Sequence, residues 1–328
     1  MIETALTRRL GIRHPVILAP MATAAGGRLA GAVSDAGGLG LIGGGYCDPD
    51  WIETEWAAAG NRPVGIGYIS WALADRLLDE PDFLTRHLER RPRAVFLSFA
   101  DPAPFAEAIR AAGVPLIVQV QTLRDARRAV DVGADVVVAQ GSEAGGHGEA
   151  RATMTLVPEV ADMVARRGAD TLVVAAGGIA DGRGLAAALM LGAEGVVMGS
   201  RLWASDEALV HPDMIDAGLL ATGDETVRSS VMDIARELDW PERYTARVLE
   251  NDFTRRWHTD IEGLKRDAQA QSARWRAAWS AGDTAVANTF VGEAAGLIAE
   301  RESAAAIVRR TVQEAAALLE GGARRVGT

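Results

Sequence analysis

Eight short apolar runs, separated by amphipathic segments and small-residue turns, fill the first two-thirds of the chain. They are Val16–Ala19, Leu39–Ile42, Val64–Ile69, Ala94–Ser98, Pro115–Val120, Val136–Ala139, Leu172–Ala176 and Gly195–Met198. Runs this short and continuously apolar suit parallel strands buried on both faces. Helical patterns between them, such as Asp101–Ala112 and Thr122–Val132, give the crossovers that parallel pairing needs. One joint recurs. Val132-Gly133-Ala134-Asp135-Val136-Val137-Val138 resembles Leu191-Gly192-Ala193-Glu194-Gly195-Val196-Val197, with a fainter copy at Ala36–Ile42. In each, a helix ends at a glycine suited to a left-handed cap and the next strand starts at once. A doubly wound sheet would also use this joint. Eight such units predict an α/β chain: a (β/α)8 TIM barrel over residues 1–223 with a C-terminal helical extension over 224–328.

From about Asp206 the rhythm stops. Asp224–Gly282 is charged and carries Trp240, Trp257, Trp275 and Trp279. Helical patterns follow from about Ala285 to Leu319, where Ile307, Val308, Thr311, Val312, Ala315 and Leu319 recur at helical spacing. The stripe is read as packing against the barrel, with a homodimer contact as the alternative. The tryptophans near 257 and 275–279 are candidates for a lid over the barrel mouth.

Composition excludes several classes. The net charge of −10 argues against sequence-independent nucleic-acid binding. No apolar stretch reaches the roughly 18 residues of a membrane span, and the start, MIETALTRRLGIRHPV, lacks the apolar core of a secretory signal. A soluble, cytoplasmic protein is expected. Cys47 is the only cysteine, so no internal disulfide or cysteine-based metal site forms. No metal site is expected: the short HPD and HTD matches at His211–Asp213 and His258–Asp260 have no partner spacing and read as surface features. Lys265, the sole lysine, lies outside the expected barrel, which disfavours Schiff-base chemistry at a strand end.

The last two runs carry the strongest functional signal. Strand Leu172–Ala176 ends in Gly177–Gly178, and strand Gly195–Met198 ends in Gly199–Ser200. Amides at such turns are free to point at an anion, and helix N-termini favour negative charge. As the seventh and eighth strands of a barrel, they would form the usual phosphate cradle, with Met198, Gly199 and Ser200 on one side and Gly177 and Gly178 on the other. A phosphorylated cofactor follows; a sugar-phosphate substrate in a non-redox barrel is the alternative. Gly38-Leu39-Gly40-Leu41-Ile42-Gly43 matches the dinucleotide fingerprint only in letters, because a helix precedes it and the strand falls inside it.

The segment after the sixth run, Gln140-Gly141-Ser142-Glu143-Ala144-Gly145-Gly146-His147-Gly148-Glu149, lies where barrel active sites lie. His147 has glycine on both sides, so backbone can pass close to a flat ligand while the imidazole reaches it. Alone among the five histidines in this setting, it is the candidate general base. Glu143 and Glu149 are the candidates for raising its pKa. Small residues at Pro20, Met21 and Ala22 let main chain approach a ring system edge-on, although a plain turn explains them equally well. Gln119 and Gln140, with Gly67 and Ser98 at comparable strand ends, predict a polar pocket without internal positive charge.

Together, PMA at Pro20–Ala22, QGSEAGGH at Gln140–His147, AAGGIADGRGLAAALMLGAEGVVMGSR at Ala175–Arg201 and RVLENDF at Arg247–Phe253 resemble the nitronate monooxygenase family, formerly called 2-nitropropane dioxygenases. The likeness runs from roughly Ile12 to Trp257. It implies FMN across the barrel mouth, with its phosphate on Gly177–Gly178 and Gly199–Ser200. Met21 and Ala22 would approach the isoalloxazine edge, and Gln140 and Gly145 would contact the cofactor. Pro20 and Gly146 flank these contacts, and His147 would be the base. The implied reaction is oxidation of alkyl nitronates, or nitroalkanes, by O2 to a carbonyl compound and nitrite. An NAD(P)H-dependent FMN reductase of quinones or enoyl thioesters, on the same fold, is the alternative. Two departures stand out: some relatives carry asparagine where Gly67 stands, and some carry lysine where Gln119 stands.

Overall fold

The structure is a computed structural model and describes residues 2–322. Its strands, in chain order, are β1 (Val16–Leu18), β2 (Leu41–Gly45), β3 (Gly65–Ile69), β4 (Val95–Ser98), β5 (Leu116–Val120), β6 (Val136–Gln140), β7 (Gly146–Gly148), β8 (Leu172–Ala176), β9 (Val196–Met198), β10 (Thr226–Ser229) and β11 (Thr245–Leu249). Eight of them form one parallel sheet in the order β1-β9-β8-β6-β5-β4-β3-β2. A bridge between Ile17 and Leu39 joins the two ends: Leu18 N–H donates to Leu39 O and Leu39 N–H to Val16 O, each at 2.9 Å. The chain is thus a (β/α)8 barrel, and each of the eight apolar runs supplies one strand of it.

Strand alternation sorts the side chains into two layers. Ile17, Leu41, Phe96, Ile117, Val138, Val174 and Val197 point into the barrel, where Leu6 and Leu10 of the helix Ala5–Leu10 join them. Their neighbours Val16, Leu18, Ile42, Val95, Val137, Val173, Val196 and Met198 face the surrounding helices. Each fully buried aliphatic side chain contributes about 1.5–3 kcal/mol. Strand β2 runs on past its apolar run through Gly43, Gly44 and Gly45. A Cβ at Gly43 would lie 2.2 Å from Met21 O, and one at Gly45 would lie 2.6 Å from Ala22 Cβ. Only glycine lets the first turn of the barrel lie flat on this strand.

After β9 the chain leaves the barrel and returns in the helix Ala304–Gly322. Ile307, Val308, Thr311, Val312 and Ala315 of that helix are buried against the helices Gly182–Met190 and Gly27–Ala36. A Cβ at Gly182 would meet Glu314 Cβ at 2.3 Å, so the two helices touch through backbone. The last helix therefore fills the eighth place in the outer ring. The residues before it form an insertion between the eighth strand and the eighth helix, with an apolar core of its own around Met214, Val231, Met232, Val248, Phe253 and Trp257.

The insertion is not all helix. Strands β10 and β11 pair antiparallel, and β11 pairs with β7, setting Ala246 opposite His147. The loop that carries the candidate base is thereby held as a strand edge. Among the described residues, no helix is long and apolar enough to cross a membrane.

Candidate active site

A cavity of about 390 Å³ opens at the carboxyl ends of the barrel strands, roofed by the insertion. That volume falls within the roughly 300–1,000 Å³ of cofactor and ligand sites. The structure brings Pro20, Met21, Ala22, Gly67, Gln119 and Gln140 to its wall, together with Gly145, Gly146, His147, Gly177, Gly178, Gly199 and Ser200. Met198 does not reach it. On β9, Met198 faces outward into the sealed layer between sheet and helices, and Val197, one residue earlier, faces the cavity.

The two glycine turns stand side by side because β8 and β9 are hydrogen-bonded neighbours. Gly177 and Gly178 both have positive φ, 103° and 72°. Gly177 is also pressed against Thr153, whose Oγ1 would lie 2.8 Å from a Cβ there. The helix after this turn starts only at Gly182, and the Asp181 carboxylate accepts from Arg183 N–H and Gly184 N–H. Its first amides are therefore engaged, which differs from the expected turn opening directly onto a helix end. The amides of Gly178, Gly199 and Ser200 themselves have no acceptor among the described residues. Three unpaired amides on a cavity wall are an anion cradle in want of acceptors. The insertion closes on the same spot: Gly292 N–H donates to Ser200 Oγ at 2.9 Å, and a Cβ at Gly145 would lie 2.6 Å from Gly292 N.

At the other side of the cavity, His147 is buried, and its Nε2 lies 3.0 Å from both Oδ1 and Oδ2 of Asp233. Asp233 comes from the short helix Val231–Ala235 of the insertion. Burial pushes the imidazole below its ordinary pKa, and the Asp233 carboxylate opposes that shift without reversing it. A neutral ring beside a carboxylate carries its proton on Nε2, which leaves the lone pair on Nδ1. Nδ1 has no partner among the described residues and is not shut away from open space. One face of the ring is covered by Trp240, with centroids 3.4 Å apart and planes at 6°.

Gln140 fixes the backbone behind this ring. Its Oε1 accepts from Gln119 at 3.1 Å and from the buried Gln121 at 2.7 Å, while its Nε2 donates to His147 O at 3.1 Å. The expected polar pocket is thus in good part a closed amide relay. Gly67 marks a tighter constraint: a Cβ there would lie 2.3 Å from Pro20 Cβ, so the proline ring occupies the space a side chain would take.

Neither Glu143 nor Glu149, the sequence candidates for raising the His147 pKa, is its partner. Glu143 accepts from Thr153 N–H and Oγ1–H, and Glu149 lies 3.2 Å from Arg243 Nε. Both local carboxylates are held by other groups, and the imidazole pKa moves down rather than up. Asp233 lies 86 residues further along. Its one signal is an aspartate inside the apolar run Val231-Met232-Asp233-Ile234-Ala235. Also missed were Tyr46, Phe99 and Arg236, all on the cavity wall, and the Arg236 guanidinium, brought in by the insertion, overturns the expectation of a pocket without positive charge. His211, read as a surface feature, lines the cavity while its Nδ1 caps the helix Pro212–Leu220. His258 does not line it; its Nδ1 pairs with Ser229 Oγ at 3.0 Å. Of the tryptophans suspected as a lid, Trp275 and Trp279 line the cavity, whereas Trp257 lies in the insertion's own core.

Comparison with known proteins agrees with this architecture. A family model described as nitronate monooxygenase matches residues 3–69 and 78–314. A nitronate monooxygenase of Neurospora crassa is 35% identical, across 92% of this chain and 89% of its own length. Among solved structures, FabK from Thermotoga maritima superposes with a TM-score of 0.83 at 31% identity, covering 99% of this chain and 100% of that one. A nitroalkane oxidase from Streptomyces ansochromogenes gives 0.78 at 26% identity, covering 97% and 99%.

Proposed function

The chain belongs to the nitronate monooxygenase family of flavin-dependent oxidoreductases, and we propose that it binds FMN and oxidises alkyl nitronates with O2 to a carbonyl compound and nitrite. The observation that carries this reading is a single cavity with the amides of Gly178, Gly199 and Ser200 on its wall and the carboxylate-held imidazole of His147 at its edge. The residues suit the cofactor. Three unpaired amides offer hydrogen bonds to a phosphate, and the flattened turn Pro20–Ala22 on Gly43 and Gly45 leaves room for a planar ring. Bound there, the flavin supplies the redox chemistry.

The protein's own part is positioning and proton handling. His147 Nδ1 accepts the α-proton of a neutral nitroalkane while Asp233 steadies the imidazolium that forms. A nitronate presented ready-made needs no base. Trp240 and the insertion shield the ring from bulk water. With glutamine rather than lysine at position 119, negative charge developing on the ring edge would meet a neutral hydrogen-bond donor there, roughly half as strong as a charge-assisted one.

The test is nitrite release from the purified, FMN-loaded protein given propyl-1-nitronate. Nitrite at a rate well above the spontaneous one is expected. No nitrite, together with rapid NADH oxidation that bleaches the flavin, would replace this reading with a flavin reductase.

A further inference from the structure

Arg236 is the only arginine or lysine among the described residues that line the cavity. It caps the helix Val231–Ala235, three residues after Asp233, so one turn of chain delivers both groups to the same face. Its guanidinium lies 5.2 Å from the ring centroid of Tyr46 and 5.8 Å from those of Trp275 and Phe290. Among the described residues it forms no ion pair. Of the three carboxylates within three residues of it, Asp233 holds His147, Glu237 pairs with Arg276 at 2.9 Å, and Asp239 forms no ion pair among the described residues. Most of this chain's cavity-distant arginines, by contrast, sit against an acid, as Arg62, Arg128, Arg247 and Arg310 do.

Aromatic faces attract a guanidinium but accept none of its hydrogen bonds in the plane of its fork. A cation held so, with no acid and only the Tyr46 hydroxyl beside its five N–H donors, keeps donors for a guest that brings further acceptors. Two oxygens on one planar centre, sharing one negative charge, match the fork bidentately. A nitronate group has that form, and so does a carboxylate. We propose that Arg236 is the substrate-anchoring residue: it grips the planar two-oxygen anion of the substrate and holds it beside His147. The proposal deepens the nitronate reading and, for the identity of the natural ligand, rests on it. It also explains the shared origin of the two groups, since movement of the helix Val231–Ala235 would shift base-holder and anchor together.

Anion binding is measured on the FMN-loaded protein by calorimetric titration with nitrate, a redox-inert planar oxyanion, and separately with propionate. Wild type, Arg236→Met and Arg236→Lys are compared. Both anions bind the wild type, Arg236→Met weakens them roughly 10- to 100-fold, and Arg236→Lys falls between, as loss of a charge-assisted fork predicts. If propionate alone depends on Arg236, the anchor serves a carboxylate elsewhere on the substrate; if nitrate does as well, it serves the nitronate oxygens. In turnover of propyl-1-nitronate, the loss falls on KM rather than kcat. Equal anion affinity in wild type and Arg236→Met would overturn the proposal, as would a loss confined to FMN affinity, which would assign the arginine to the cofactor. Because the titration needs no turnover, a protein that releases no nitrite still decides the role of Arg236, and the two readings fail separately.

Discussion

His147 Nε2 lies 3.0 Å from each carboxylate oxygen of Asp233, and the two residues come from different parts of the chain: one from the β6–β8 connection, the other from the insertion over the barrel mouth. Acceptors on both sides of a single N–H fix which nitrogen carries the proton, and so decide which one can take a new one.

Asp233→Asn tests that assignment. An asparagine can donate to Nε2 and so move the ring proton to Nδ1, where no lone pair would remain for catalysis. Turnover of 1-nitropropane is expected to fall by roughly 10²–10⁴, the usual worth of a general base, while propyl-1-nitronate turnover falls far less. His147→Ala should show the same divergence. Equal losses on both substrates, measured as kcat/KM, would show that the imidazole is not acting as a base.

The pH dependence has a definite sign. Burial holds the His147 pKa below the ordinary imidazole value, so the acid limb of kcat/KM for a nitroalkane lies at lower pH than an exposed histidine would give. A profile whose acid limb has its midpoint above 6.5 would contradict the geometry.

A second histidine governs stability in acid. His87 is buried behind β3, its Nδ1 2.8 Å from Tyr68 Oη, and burial takes its pKa down to about 4. The unfolded chain protonates this residue near 6.5 and the folded one near 4. Its contribution is whole above pH 6.5 and is lost progressively as pH falls toward 4. Thermal melts from pH 7 to 4, with the His87 ring followed by NMR, should show Tm falling while the ring stays neutral at pH 5.5. A ring already protonated at pH 5.5 in the native state would refute this.

Gly67→Asn, the residue some relatives carry, should fail here. Its Cβ would enter the Pro20 ring at 2.3 Å and push the turn Pro20–Ala22 into the cavity. A stability loss of about 1–3 kcal/mol is expected from overpacking, together with at least a tenfold weaker FMN affinity by ultrafiltration. Gly67→Asn combined with Pro20→Ala should recover much of both. No effect of the single substitution would mean that the turn yields freely.

Gly178→Ala probes the cradle. Its φ of 72° costs a non-glycine residue about 1–2 kcal/mol, and the new methyl would sit 3.3 Å from Glu143 Cβ. Gly199→Ala, at φ −101° with its nearest neighbour at 3.7 Å, should fold normally. Melting curves should therefore separate the two, with Gly178→Ala the lower.

The eight barrel strands were legible because burial on both faces writes an unbroken apolar run, which few other local structures require. His147 was legible through its flanking glycines. What failed did so for physical reasons. Strand parity, invisible in a run apolar at every position, put Val197 rather than Met198 on the cavity. Asp233 and Arg236 act across a tertiary contact that no local spacing encodes. β10 and β11 are short and polar enough to hide among charges, and their pairing with Gly146–Gly148 exists only once the insertion has folded back. The stripe from Ile307 to Ala315 was correctly read as barrel packing, but not as the missing eighth helix, because sequence order suggested an appendage.

The excursion over the mouth departs and comes home at one doorway: Ser205 bridges Glu302, Asp206 N–H donates to Glu302 O at 3.0 Å, and the buried Arg201 is paired with Glu302 beneath them. A segment pinched shut at its neck can grow, shrink or be exchanged wholesale while the eight strands below keep their register. Natural drift in substrate choice therefore has a place to act, provided Asp233 and Gly292, which reach down to His147 and Ser200, are kept. The same neck imposes an order on synthesis. Until the final helix emerges from the ribosome, the flank between Gly27–Ala36 and Gly182–Met190 stays bare, so a nascent chain cannot finish its scaffold before its roof has been made.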